Sequence, residues 1–177
     1  MVATTVLKPI KPGKFKDAEA RRVFRNALRR CAREIHKDFE ATVATWETKV
    51  TFKEHTSLRQ DEDAVSVTVD TGNEIYGYVN DGTRPHEIWA GYYTGKSDKK
   101  ALAFPSIFSP KTTPGVIGSK PGSSGGATVF SPFVQHPGTE GRHFDQVIRE
   151  KRQPWFKHQM EQALHEVAVA SGHRLAK

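Results

Sequence analysis

The chain has 177 residues, a mass of 19.8 kDa and a formal net charge of +7, from 27 Lys and Arg against 20 Asp and Glu. That length suits one domain with extensions. No run of 18 apolar residues occurs, which excludes a transmembrane helix, and we expect no secretory signal because residues 1–10 lack the basic and apolar order of one. The single cysteine, Cys31, excludes an internal disulfide and a cysteine-rich zinc site, and favours synthesis in a reducing cytoplasm.

The charge is unevenly distributed along the chain. Residues 1–46 carry a net +6, residues 47–93 a net −5, residues 94–126 a net +4 and residues 127–177 a net +2. The basic segments are compatible with nucleic-acid binding. They are equally compatible with unlike faces of neighbouring subunits that meet through complementary charge. The third interpretation is a solvated surface of uneven charge.

The N-terminal part of the chain predicts an arm followed by a long helix. Residues 1–16 combine two prolines, a glycine and four lysines without periodicity, which predicts an extended basic arm. Residues 17–46 predict an amphipathic helix of about 45 Å with Asp17 as a candidate N-cap. Its apolar residues recur at helical spacing: Phe24, Leu28, Cys31, Ile35, Phe39, Val43 and Trp46.

The polar face of this helix carries a row of basic residues, which we name the basic ridge. It is either a solvated outer face or a surface that faces DNA or an acidic subunit. Cys31 lies on the apolar face, which indicates a buried structural thiol rather than a nucleophile. The basic ridge consists of Arg22, Arg25, Arg29, Arg33 and Lys37.

The middle of the chain reads as strands. Alternating patterns predict strands over 49–53, 64–69, 74–79, 86–90, 101–105 and 127–135. The strand over 74–79 would place Tyr76 and Tyr78 on one face. Pro132 indicates an edge or a bulge in the last strand.

The segment 109–126, rich in Gly, Ser and Pro, predicts a long flexible loop. A final helix is expected to begin at Pro154 and to stop at Gly172. The fold class is therefore α+β, with a long N-terminal helix, an antiparallel sheet of about 5–6 strands and a C-terminal helix packed on the sheet. We expect one domain over 17–171, preceded by the 1–16 arm and followed by a 172–177 tail.

No catalytic pattern stands out. The eight histidines include no His-Glu-x-x-His, and the chain has neither a Gly-x-Ser-x-Gly nor a phosphate-binding Gly-x4-Gly-Lys-Ser/Thr. We therefore expect no enzyme, no cofactor and no metal site. A hydrolase using His136 or His143 remains a minor alternative, which replacement of both by alanine would test.

An ordered set of short motifs is more specific. Tyr76-Gly-Tyr-Val-Asn-Asp-Gly-Thr83-Arg-Pro-His86 is followed by Ala101-Leu-Ala-Phe104, then by His136-Pro-Gly-Thr139 and by Phe144 ahead of the last helix. This order resembles the tail-completion or head–tail neck proteins of long-tailed bacteriophages, grouped with the lambda Z protein. The resemblance covers about residues 17–171, and the 1–16 arm and 109–126 loop look longer than that family usually carries.

The resemblance implies a non-enzymatic virion component that forms a sixfold ring between head and tail. The implied partners are further copies of the chain, neighbouring neck, tail-terminator and tail-tube proteins, and genomic DNA in the channel, with no membrane. The residues that carry it would stiffen turns or form interfaces: Tyr76, Tyr78, Asn80, Gly82, Thr83, Pro85, His86, His136, Pro137, Gly138, Thr139 and Phe144. We expect His86 and His136 to satisfy backbone groups, and the arm and loop to order on assembly. The alternatives are a tail terminator that caps the tube and a basic nucleic-acid-binding module.

Overall fold

The structure, a computed structural model, describes residues 4–7, 17–59, 64–91 and 100–172. Within those ranges it has three helices: α1 (Asp17–Val43), α2 (Glu74–Asp81) and α3 (Phe144–Ala170). The strands of the same ranges are β1 (Thr4–Leu7), β2 (Lys53–Arg59), β3 (Ala64–Asp70), β4 (His86–Trp89), β5 (Leu102–Ser109), β6 (Ser123–Ser131) and β7 (Phe133–His136).

The α+β class is confirmed, but the prediction of one sheet of five to six strands is wrong. Among the described residues the strands form three separate antiparallel sheets, β1–β3–β2, β4–β7 and β5–β6. The core is built from α1, α3, β3, the segment before β2, and Tyr76 of α2. None of the strands β4 to β7 contributes a side chain to this core. The hydrophobic pattern of those strands therefore faces something other than the core.

Helix α1 follows the predicted pattern. Leu28, Cys31, Ile35 and Phe39 are buried along one face, as the helical spacing requires. The helix ends at Val43, three residues before the predicted end, and the amide of Trp46 donates to the Val43 carbonyl in the closing turn.

Helix α3 begins ten residues earlier than predicted. Its first turns bury Phe144 and Ile148, which continue the apolar stripe of Phe156 and Met160 at four-residue spacing. Pro154 therefore lies in the helix interior, where it removes one backbone hydrogen bond. The burial of the two early side chains offsets that loss. The predicted C-terminal helix is confirmed, and it packs mainly on α1 and to a smaller extent on the described strands.

The strand predicted over 49–53 is displaced towards the C-terminus. The structure places β2 at Lys53–Arg59, within a stretch that the sequence marks as a polar connection. This edge strand exposes most of its side chains, and its backbone pairs with β3 from Lys53–Asp70 to Arg59–Ala64. Because pairing rather than burial defines the strand, its side chains carry no alternating apolar signal.

The strand predicted over 74–79 is the helix α2. Asn73 caps it, since its side-chain Oδ1 accepts a hydrogen bond of 2.9 Å from the amide of Tyr76. The change of period from 2 to 3.6 separates the two tyrosines. Tyr76 is buried and Tyr78 is 58% exposed, so the expected shared face is wrong.

Two predicted segments, the 1–16 arm and the 109–126 loop, have different bounds in the structure. Thr4–Leu7 of the predicted arm form β1, which pairs with β3, while residues 1–3 and 8–16 lie outside the described residues. The predicted 109–126 loop is shorter, because its two ends belong to β5 and β6 and only residues 110–122 connect them. Pro132 separates β6 from β7. Of the predicted tail, residues 173–177 lie outside the described part.

Candidate functional site

Two glycine turns of the motif set, 56 residues apart in sequence, interlock in the fold. Thr83 and Thr139 form a two-residue antiparallel bridge. The amide of Thr83 donates to the Thr139 carbonyl at 2.9 Å, and the amide of Thr139 donates to the Thr83 carbonyl at 3.1 Å and to its hydroxyl at 3.0 Å. The turns come so close that only glycine fits beside each threonine. We name this arrangement the double turn.

The glycines of the double turn have no room for a side chain. Gly82 has φ +81, and a Cβ there would lie 2.6 Å from the Thr139 carbonyl oxygen and 2.7 Å from the Gly141 nitrogen. Gly138 has φ +91, and its Cβ would overlap the Thr83 carbonyl oxygen. Both obstacles are backbone atoms, which cannot rotate away. Glycine is therefore required twice in one place.

The two motif histidines lie next to the double turn. His86 and His136 pair across β4 and β7, with ring centroids 5.0 Å apart. Nδ1 of His86 lies 2.8 Å from the Arg84 carbonyl, so it carries the proton, and Nδ1 of His136 accepts from the Gly138 amide at 3.0 Å. Each ring satisfies a backbone group beside a proline, Pro85 or Pro137, as the sequence suggested, and each is thereby held in one tautomer.

The segment after the double turn connects it to the core. The amides of Arg142 and His143 donate to the carbonyls of Val79 and Asn80 at the end of α2. The next residue, Phe144, is fully buried and lies 5.8 Å from the Tyr76 ring, centroid to centroid. The predicted residues from Tyr76 to Thr83 and from His136 to Phe144 therefore meet in one region, whereas the exposed Tyr78 points away from it.

Arg142 is a residue of this region that the sequence analysis missed. Its side chain is buried; Nε donates to the Thr112 hydroxyl at 3.2 Å and Nη1 to the Glu140 carbonyl at 2.8 Å. The Arg142 carbonyl accepts from the Gly115 amide. Arg142 thus fastens the 110–122 connection to the double turn. Its only sequence signal was its place between Gly141 and Phe144, which does not predict burial.

The basic ridge is exposed along its whole length. Arg22 and Lys37 pair with Glu19 and Glu34 on the same helix. Among the described residues, no carboxylate lies within salt-bridge distance of Arg25, Arg29 or Arg33. These three guanidinium groups remain available to an anion. The ridge lies on the opposite face of α1 from the core, so it does not join the double turn.

Two buried groups of α1 are structural. Asp38 accepts a hydrogen bond of 3.0 Å from Nη2 of Arg152, and this hydrogen bond is the main reason why the pKa of Arg152 is raised. The pair joins α1 to α3. Burial raises the pKa of Cys31 to about 11, which keeps the thiol protonated and unreactive at neutral pH.

Helix α2 borders a cavity of about 490 Å³, which we name the α2 cavity. Its apolar lining comes from Phe39, Phe52, Val69 and Tyr76. Four carboxylates also line it: Asp70, Glu74, Asp81 and Asp145. Within the described residues none of these four lies within salt-bridge distance of a Lys or Arg. The cavity therefore offers an apolar floor with a negative rim.

The strands β5 and β6, which we name the apolar ribbon, expose large side chains. Ile107, Phe108 and Phe130 are 63%, 73% and 71% exposed, and Val129 is also exposed. Neither strand contains an Asp, Glu, Lys or Arg. The register of the ribbon shifts between Pro105 and Ile107, opposite Gly126, whose φ is +79. Exposed apolar surface of this kind makes the ribbon a candidate interaction surface.

Comparison with protein-family models, curated proteins and solved structures found no match to this chain. Over the described ranges, no group of three or more His, Cys, Asp or Glu side chains is arranged to hold a metal ion. No helix in the described part of the chain is long and apolar enough to cross a membrane.

Proposed function

We propose that this chain is a structural protein of a bacteriophage neck or tail, made in the host cytoplasm, that completes the tail and joins it to the head connector as part of a hexameric ring. The proposal requires no catalytic step and no cofactor. The observation that carries it is the double turn, because two of the motif segments, 76–86 and 136–144, come together there.

The double turn supports the proposal because chance motifs have no reason to meet. Gly82-Thr83 and Gly138-Thr139 are ordinary turn sequences when taken one at a time. In the fold they bond to each other, exclude any side chain between them and lead directly into buried Phe144. Motifs that depend on each other physically are better evidence of a shared ancestor than the same motifs at unrelated places.

A ring of identical subunits needs two unlike surfaces that meet around the circle. The chain offers such surfaces. The apolar ribbon is uncharged and exposed, and the α2 cavity is rimmed by acidic groups. This distribution favours contact between subunits over a solvated surface.

Deletion of the gene from its native genome, followed by electron microscopy of the lysate, tests the proposal. We expect filled heads and separate tails, because both assemble but nothing joins them. Tails of normal length identify a completion or joining protein. Tails of uncontrolled length identify a tail terminator, since a tube without a cap keeps growing. Normal infectious particles would refute both.

A second candidate function is a basic nucleic-acid-binding module. The observation that favours it is the row of Arg25, Arg29 and Arg33, exposed and without an acidic partner among the described residues. Phosphate contacts by n cations make the logarithm of affinity fall with the logarithm of salt at a slope of about −0.9n. Replacement of the three arginines by glutamine should then reduce the slope by about 3. Undetectable affinity for duplex DNA at ~50 mM salt would eliminate this candidate.

A further inference from the structure

The apolar ribbon is held at both ends but is not covered. At one end, β6 continues through Pro132 into β7 and the double turn. At the other end, the 110–122 connection is fastened to the helical body by Arg142 and by the Ser119 hydroxyl, which donates to the Ala41 carbonyl. Between these points neither strand supplies a side chain to the core. A two-stranded ribbon is only marginally stable in water without a packed face.

The ribbon has a proline, Pro105, and a register shift, but it lacks the charged side chains that protect most exposed strand edges. Edge strands usually carry charged side chains, which prevent association with another chain. The ribbon has none over its 8 and 9 residues. Of the ten large apolar side chains that are exposed in the described part of the chain, four lie on it. A surface without charges offers no cation to a phosphate backbone, which favours a protein partner over a nucleic acid.

The same molecule carries a cavity that suits these side chains. The α2 cavity, about 490 Å³, has the size of a ligand pocket, and the edges of three core rings, Phe39, Phe52 and Tyr76, lie at its base with 4–6% of their surface exposed. The Phe52 and Tyr76 rings lie 5.2 Å apart and meet edge to face, so the base of the cavity is apolar and rigid. Protruding aromatic side chains and a matching cavity on one molecule lead to head-to-tail association.

Charges beside the two surfaces are complementary. Lys100 precedes the ribbon and Lys120 lies just before β6; both are exposed. The cavity rim presents Glu74 and Asp81, also exposed, and neither has a Lys or Arg partner among the described residues. Opposite charges around an apolar centre fix the orientation of a contact.

We propose that the apolar ribbon of one copy docks its exposed phenylalanines, Phe108 or Phe130, against the α2 cavity of a second copy. The contact is heterologous, so each copy keeps one free ribbon and one free cavity until a ring closes. The inference rests on the proposed function in that it supplies the contact such a ring requires.

Two complementary variants test the contact in the full chain. Phe108→Ser with Phe130→Ser removes the ribbon side chains and leaves the cavity intact. Gly77→Trp fills the cavity, because Gly77 lines it and a Cβ there meets nothing within 4 Å. Phe108 and Phe130 lie outside the core, and a helical glycine gains helix propensity on substitution; circular dichroism of each variant checks that it is folded. The matched controls are Val169→Ser, an exposed apolar residue of α3, and Gly77→Ala.

Sedimentation of the purified proteins measures the result. We expect wild type and both controls to assemble, and each variant alone to lose association by about a hundredfold or more. A mixture of the two variants should form a 1:1 dimer that grows no further, because only one ribbon and one cavity are functional. Monomeric wild type at ~100 μM, normal assembly of either folded variant, or absence of the mixed dimer would each overturn the inference.

The test is separate from that of the proposed function. If the variants assemble normally while gene deletion still yields unjoined heads and tails, the docking is wrong and the proposed function stands. If the mixed dimer forms while gene deletion yields normal particles, the docking stands and the neck function is refuted.

Discussion

Replacement of Gly82 by alanine is the most direct test of the double turn. Gly82 has φ +81 and ψ 173, a region that is essentially restricted to glycine and costs other residues about 2 kcal/mol. Its new Cβ would lie 2.6 Å from the Thr139 carbonyl oxygen, so the turns must separate. Separation weakens the two backbone hydrogen bonds of the Thr83–Thr139 bridge, at about 1 kcal/mol each. The expected destabilisation is about 4 kcal/mol, a large part of the roughly 5–15 kcal/mol of a typical domain.

Urea unfolding followed by tryptophan fluorescence measures this loss, and thermal unfolding should show a decrease of roughly 10 °C. The control is Gly115→Ala, because Gly115 has φ +71 but a Cβ there meets nothing within 4 Å. It isolates the backbone strain, about 1 kcal/mol. A decrease for Gly82→Ala no larger than for Gly115→Ala would refute the idea that the turns interlock.

Three further predictions concern the helical body and the connection. Asp38→Ala removes the main carboxylate partner of the partly buried Arg152, which keeps only Glu34, and should destabilise the protein by about 2 kcal/mol in urea unfolding, whereas the exposed Glu40→Ala should have little effect. Burial raises the pKa of Cys31 from 9.0 to about 11. The stability that the neutral thiol contributes is therefore complete below pH 9 and is lost between pH 9 and 11. In Cys31→Ala the free energy of unfolding should depend less on pH within that window. Arg142→Met should release the 110–122 connection, which trypsin would then cut faster after Lys111 while α3 stays intact by circular dichroism; unchanged cleavage after Lys111 would show that Arg142 does not fasten the connection.

The sequence predicted those elements whose side chains face one core. Helix α1 was predictable because burial of Leu28, Ile35 and Phe39 imposes a 3.6-residue period. The early turns of α3 were not predicted because a proline normally marks the start of a helix, which placed the start at Pro154. In the fold the burial of Phe144 and Ile148 stabilises the helix by more than the proline destabilises it. A proline destabilises a helix only locally, whereas the buried apolar face of a helix is stabilised by its contacts throughout the core.

Helix α2 and strand β2 were missed for opposite reasons. The alternation of Tyr76 and Tyr78 imitates a strand, but the Asn73 cap and a single buried tyrosine define a short helix. Strand β2 has no alternation because it is an exposed edge held by backbone pairing. In both cases a few backbone hydrogen bonds decide the structure, and those are not visible in hydrophobic patterns.

The motif set of the candidate site was visible in the sequence, but the distance between its parts was not. Nothing in the turns around Gly82 and Gly138 predicts that they bond to each other, because this depends on how β4, β7 and the start of α3 are arranged. Arg142 was missed for the same reason. A charged residue in a loop is normally exposed, and only the folded connection buries it.

The position of the double turn predicts a role in ring geometry. The double turn joins two parts of the fold. One is the β4–β7 pair, which leads into the apolar ribbon, and the other is the end of α2, which borders the α2 cavity. If ribbon and cavity are the two contact surfaces, the rotation between neighbours is set by the stiffness of this junction, and a closed ring requires one fixed rotation.

Thr83→Val tests that role with little change in shape. The substitution keeps the branched side chain and removes only the hydroxyl that accepts from the Thr139 amide at 3.0 Å, a loss of about 1 kcal/mol that leaves the fold intact. We expect native mass spectrometry to show a mixture of ring sizes where wild type shows one. Thr113→Val, at an exposed position of the connection, should keep the wild-type ring. A single unchanged ring size for Thr83→Val would mean that the rotation between subunits is fixed elsewhere, because the junction would then have been loosened without consequence for closure.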